Sequence, residues 1–107
     1  MTDLLARYKS ALEARDLGAL QRIWPSLSGT PESRLRSEFE HASRISVEIV
    51  DPRIALSGNT GTVNFLRRYL VITTEGKQLQ NDIRATMEIR RTGTAWAIER
   101  IRFEAAR

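Results

Sequence analysis

A chain of 107 residues with 41% hydrophobic and 28% charged side chains has the size and composition of one soluble domain, spanning residues 1–107, with a single modest core. The absence of cysteine excludes disulfides, thiolate nucleophiles and cysteine-based zinc sites, and no apolar run approaches the roughly 20 residues needed to cross a bilayer. The net charge of +4 comes from 17 basic residues, 15 of them arginine, interleaved with 13 acidic ones; there is no basic block or nucleic-acid motif, so nucleic-acid binding is not expected.

The opening MTDLLARYKS carries an early acid and no continuous apolar core, unlike a secretory signal, so a cytoplasmic location is expected. Residues 4–25, LLARYKSALEARDLGALQRIWP, read as an amphipathic helix, a joint at Asp16 and a second short helix stopped by Pro25. Thr2 or Asp3 is suited to cap the first helix, and Asp16 the second. Leu4, Leu5, Tyr8, Ala11 and Leu12 share one face of the first; Leu17, Leu20, Ile23 and Trp24 form the stripe of the second. After a polar loop, Thr30-Pro31-Glu32 signals a third helix, with a hydroxyl cap, proline in the first turn and an acid facing the positive end of the dipole. Leu35, Phe39 and Ala42 give it a sparse inward face.

The hydrophobic period then changes from 3.6 to 2. Ile45, Val47 and Ile49 alternate with Ser46, Glu48 and Val50, and Asp51-Pro52 is expected to break that strand before a short one over residues 53–56. Long strands follow over residues 62–74, 77–91 and 94–104, separated by turns at Glu75-Gly76 and Thr92-Gly93. Helices followed by an antiparallel meander is the α+β pattern.

A two-residue turn at Glu75-Gly76 would pair Thr74 with Lys77 and place Leu70 opposite Asn81, Arg68 opposite Ile83, Leu66 opposite Ala85 and Asn64 opposite Met87. That face, with Ile72, Leu79 and Ile89, is expected to meet the helices, leaving Val63, Phe65, Arg67, Tyr69 and Val71 outside. The same logic at Thr92-Gly93 sets Arg100 against Ala85 and Arg102 against Ile83, on the core face. Buried unpaired charge is costly, which leaves two readings. Either a bulge near Glu99 turns Ile101 and Phe103 inward and the arginines out, or the sheet ends in a polar cleft able to take an anion.

With Tyr8, Ala11, Asp16, Leu20 and Trp24 in the helical pair and Trp96-Ala97-Ile98 in the last strand, the chain resembles the nuclear transport factor 2-like superfamily, which includes SnoaL-like polyketide cyclases and ketosteroid isomerases. The resemblance implies a cystatin-like or SnoaL-like cone, in which N-terminal helices pack in the concavity of a strongly curved antiparallel sheet. It also implies a pocket at the wide end and frequent dimers through the outer sheet face, here the face bearing Phe65, Tyr69, Ile101 and Phe103.

The residues expected to meet a ligand are Tyr8, Asn64, Arg68, Asn81, Arg100 and Arg102, with arginine favouring a small organic anion such as a carboxylate. No catalytic residue of the superfamily finds a match. His41, the one histidine, falls at the end of the third helix, where interaction with the helix terminus is expected; Tyr69 and Asp82 fall opposite each other as a cross-strand pair. Trp24 is expected to close the narrow end of the core and Trp96 to lie under the helices. No metal or cofactor is expected. The resulting expectation is a ligand-binding or interaction module; the alternative is a small acid–base enzyme (isomerase, dehydratase or hydrolase) acting on a hydrophobic substrate.

Overall fold

The structure, a computed structural model, describes residues 2–105. Helices α1 (Thr2–Glu13), α2 (Leu17–Ile23) and α3 (Gly29–His41) precede strands β1 (Ala42–Ser57), β2 (Thr60–Thr73), β3 (Gln78–Thr92) and β4 (Ala95–Ala105). The strands form one antiparallel sheet in sequence order, so β1 and β4 are open edges and the sheet is not closed. The α+β fold expected from the sequence is the fold observed.

The helical start follows local chemistry closely. Arg15 adopts φ 54° and the Asp16 amide donates to Ala11 O (3.0 Å), which ends α1 in a left-handed turn and closes its free carbonyls. Asp16 then caps α2, its carboxylate accepting from the Ala19 amide at 3.0 Å. Asp3 lies inside the first turn of α1 and pairs with Arg7 at 3.1 Å; the capping role expected of Thr2 concerns a side chain outside the described residues. Helix α3 begins at Gly29, ahead of the expected Thr30 cap, with Ser28 at its N-cap position.

The first strand corrects an expectation. Asp51-Pro52 does not end it: β1 runs through to Ser57, and the pairing with β2 shifts between Val50 and Arg53, where Asp51 has φ 51°. An edge strand has one side free of ladder bonds, so a proline and a bulge are absorbed there rather than breaking the sheet.

The larger correction is the pairing of β2 with β3. Tyr69 pairs with Asn81, Arg68 with Asp82, Arg67 with Ile83 and Phe65 with Ala85, one residue out of step with the expected register. The cause is the turn. Thr73 O accepts from the Gly76 amide (2.9 Å) and Thr73 N donates to Lys77 O (2.8 Å), with Gly76 at φ 87°. This is a three-residue loop, a tight turn followed by a left-handed glycine, rather than a two-residue one. A one-residue slip exchanges the two faces of a strand. Val63, Phe65, Tyr69 and Val71 therefore point inward with Ala85, Met87 and Ile89, while Asn64, Leu66, Arg68, Leu70 and Ile72 form the outer face. The face expected to carry a dimer through Phe65 and Tyr69 is in fact core.

At the other end the bulge reading holds. Ile89 pairs with Ile98 but Glu88 pairs with Arg100, so Glu99 is the extra residue. Ile101 and Phe103 then align with the inward Met87 and Ala85, and Arg100 and Arg102 with the outward Glu88 and Thr86. The loop after α2 holds the bulge, since Ser26 Oγ donates to Glu99 O at 3.0 Å.

The core joins Leu4, Leu5, Tyr8, Ala11 and Leu12 of α1 and Leu20 and Ile23 of α2 to the inward face of the sheet. Phe39 closes it from α3, while Trp24 and Trp96 pack at its margin, half-buried. Helix α1 also covers the β1 edge: Val47 N donates to Glu13 Oε2 (3.0 Å), and Lys9 Nζ donates to Val47 O (2.8 Å). Two edge groups that would offer a pairing site to another strand are thus occupied. Glu13→Ala leaves the Val47 amide without its partner and is expected to cost about 1–2 kcal/mol of unfolding free energy, read from urea denaturation; an unchanged midpoint would show that water serves that amide equally well.

Candidate functional site

Between the helices and the inward face of the sheet lies a cavity of about 550 Å³. Its apolar wall comes from Leu12, Leu20, Trp24, Leu27 and Leu35 on the helical side and Ile101 and Phe103 on β4. Polar groups at its lining are Tyr8, Glu38 and Arg67, with Ser26, Ser28, Thr30, Arg34, Glu99 and Arg100 also bordering it.

Tyr8 is 2% exposed, and its ring meets Phe65 edge-on at 6.4 Å between centroids. Its hydroxyl accepts a hydrogen bond from Arg67 Nη1 at 3.0 Å. Because that guanidinium can only donate, the Tyr8 proton is free for another acceptor. Arg67 lies 4.4 Å from the ring centroid of Tyr69 and 4.5 Å from that of Phe103, a cation over two aromatic faces. Tyr69 in turn donates its hydroxyl to Glu38 on α3. Tyr8, Arg67, Tyr69 and Glu38 thus form one polar chain linking α1, β2 and α3.

The expected site residues divide. Tyr8 and Arg100 border the cavity. Arg100 also pairs with Glu88 at 3.5 Å on the outer side. Arg68 is on the outer face, 3.8 Å from both Glu48 and Asp82, and borders a more open depression with Lys9 and Glu13, where these charges already have partners. Asn64 accepts from Thr86 Oγ1 (2.8 Å) on the same outer face. Asn81 is exposed opposite Tyr69, and Arg102 is exposed opposite Thr86. The expected Tyr69–Asp82 pair is replaced by Arg68–Asp82. His41 ends α3, with Nδ1 2.7 Å from Ser37 O. Among the described residues no cluster of three or more acidic or histidine side chains is placed to hold a metal ion, and no helix is long and apolar enough to cross a membrane.

Arg67 and Glu38 are the site residues that sequence reasoning missed. The signal for Arg67 was weak: it lies in the alternation Val63, Phe65, Tyr69, Val71, but the other alternation, with Leu66, Leu70 and Ile72, competes with it for the inner face. Glu38 had no comparable signal, since α3 carries acids on several sides.

Both tyrosine hydroxyls are held above the ordinary value of 10.0. Burial is the main cause for Tyr8, opposed by the Arg67 charge; for Tyr69, burial is reinforced by the hydrogen bond to Glu38 and its negative charge. Each is a neutral donor throughout the physiological range. Above pH 10.0 the unfolded chain releases these protons while the folded chain keeps them, so stability is full below that pH and falls above it. The expected slope is up to about 1.4 kcal/mol per pH unit for each tyrosine. Tyr69→Phe should make the alkaline loss of stability shallower in denaturation series; an identical slope in the variant would remove Tyr69 from the linkage.

No protein-family model matches the sequence, and no curated protein matches it significantly. Solved structures do match the fold. A candidate dehydratase of the nuclear transport factor 2-like family from Streptomyces avermitilis superposes with a TM-score of 0.83 at 17% identity, over 98% of this chain and 93% of that one. A nuclear transport factor 2-like superfamily protein from Salmonella enterica serovar Typhimurium gives 0.81 at 15%, over 99% and 89%. Hexachlorocyclohexane dehydrochlorinase LinA-type3 from Novosphingobium barchaimii gives 0.73 at 13%, over 96% and 82%. Three helices laid against an open four-stranded antiparallel sheet, together with these superpositions, identify the fold of the chain as nuclear transport factor 2-like.

Proposed function

We propose that the protein binds a small, largely hydrophobic organic molecule in the cavity between α1–α3 and the sheet. The observation that carries this reading is a cavity of about 550 Å³ whose exposed lining surface is largely apolar, with Tyr8, Arg67 and Glu38 among the polar groups at its wall. Apolar walls supply affinity and a small number of placed polar groups supply orientation, the usual composition of a small-molecule site. The Tyr8 proton is available to a carbonyl or hydroxyl oxygen of the guest. Leu35 borders the cavity from α3 and is half-buried, so Leu35→Trp fills space without deleting a core contact. A thermal-shift screen of cyclic ketones, phenols and aromatic acids should find stabilising compounds whose effect is abolished in Leu35→Trp. Equal stabilisation of the variant would place the binding elsewhere and sink the cavity reading.

A second reading is a small acid–base enzyme. It is favoured by Glu38, a carboxylate on the cavity lining, beside the Tyr8 hydroxyl as a neutral acid. The names dehydratase and dehydrochlorinase among the structurally similar proteins lend it a precedent on this fold, though at 17% and 13% identity they carry no residues across. Exchange of α-protons of a bound cyclic ketone into deuterated water, lost in Glu38→Gln, would support it; no exchange above the buffer rate would leave the protein a binder.

Self-association through the outer sheet face belongs to the same proposal, with different residues from those first expected. Val50 and Leu66 on one side and Leu70 and Ile72 on the other are half-exposed apolar groups there, flanking the Arg68–Glu48–Asp82 ion pairs. Sedimentation should show a dimer that Leu70→Lys converts to a monomer; a monomeric parent at high concentration would discard this interface.

A further inference from the structure

We infer that the ligand of the cavity carries a carboxylate or another planar anion, and that Arg67 is its receptor. This rests on the cavity being a ligand site, and it adds the charge and the residue. Among the described residues Arg67 makes no ion pair, whereas Arg68, Arg90 and Arg100 each have a carboxylate partner. The two carboxylates on the cavity lining are both engaged elsewhere: Glu38 receives the Tyr69 hydroxyl and Glu99 pairs with Arg90. The guanidinium charge therefore has no carboxylate contact among the described residues.

Its hydrogen bonding is incomplete as well. Nη1 donates to Tyr8, but Nε is buried and has no acceptor. A buried donor without a partner is a standing cost, larger when the group is charged. The rings of Tyr69 and Phe103 occupy the π-contacts of the guanidinium, and Tyr8 occupies its Nη1. What remains is the Nε–Nη2 edge, whose two parallel N–H bonds match the two oxygens of a carboxylate. Phe103, 43% exposed at the end of β4, stacks on the guanidinium where it borders the cavity. The aliphatic and aromatic wall then takes the hydrocarbon part. The ligand class is a hydrophobic monocarboxylate.

The test compares 2-naphthoate with 2-naphthamide, which share shape but differ in charge, by titration calorimetry on the full chain. The protein should prefer the carboxylate by about tenfold to a hundredfold, as expected for a charge-assisted pair. Arg67→Met keeps the bulk between the rings and should bind both compounds with similar, weaker affinity. Arg67→Lys keeps the charge without the fork and should lose most of the preference. In the parent protein, naphthoate should also shift one arginine Nε–H resonance downfield, a signal absent from Arg67→Lys. Equal affinity for the two compounds in the parent overturns the anion inference and leaves the cavity reading standing, as does a preference that survives in Arg67→Met. Absence of binding by both compounds overturns both readings. The parent comparison and its arginine resonance decide the matter even if a variant fails to fold.

Discussion

The pairing register of β2 against β3 is the constraint on which the rest of this structure depends. It is set by Thr74-Glu75-Gly76, where Gly76 takes a left-handed conformation at φ 87° that a side chain would strain. One residue fewer in that loop would send Arg68 into the core and Phe65 and Tyr69 to the surface. Two adjacent arginines thus have opposite fates. Arg68 lies among acids on the outer face, and Arg67 lies over aromatic rings at the cavity. The ionic and apolar partners of each suit its side, which is the consistency expected of a register selected by packing.

Irregularities elsewhere serve the same end. The extra residue at Glu99 turns Ile101 and Phe103 toward the helices and sends Arg100 and Arg102 outward. Without it, the last third of β4 would present two guanidinium groups to an apolar core, at a cost several times the worth of a hydrogen bond. At the opposite edge, Asp51-Pro52 is accommodated by a shift in pairing, and α1 seals Val47 with Lys9 and Glu13. The helix therefore has two roles. Its apolar stripe fills the sheet's inner face, and its polar flank satisfies an edge that would otherwise pair with another chain.

Tyr8 is where these roles meet the site. Its ring belongs to the core and its hydroxyl to the polar chain that runs through Arg67, Tyr69 and Glu38. Burial keeps both tyrosines protonated, and Arg67 supplies a positive charge that makes no ion pair among the described residues. An apolar cavity with a cation and a neutral donor at its wall is what supports the proposed reading as a binder of an amphipathic guest, and Glu38 on the same lining is the group the alternative acid–base reading would use.

The sequence by itself determined the elements and their order. Asp16 as a cap, the apolar stripe of Leu4 to Leu12, the change of period after Ala42 and the inward set Ile83, Ala85, Met87 and Ile89 are local patterns, each legible because its cause lies within a few residues. The need for a bulge near Glu99 was legible too, from the cost of burying arginine. Only the tertiary structure decided which face of β2 turns inward. Its two alternations each contain one arginine and several apolar groups, so hydrophobicity alone separates them weakly, and a glycine turn of two or three residues reverses the answer. The cavity, and the conjunction of Arg67 with Tyr8 and Glu38, arise from segments 59 and 29 residues apart, a proximity that comes from packing rather than from any local pattern.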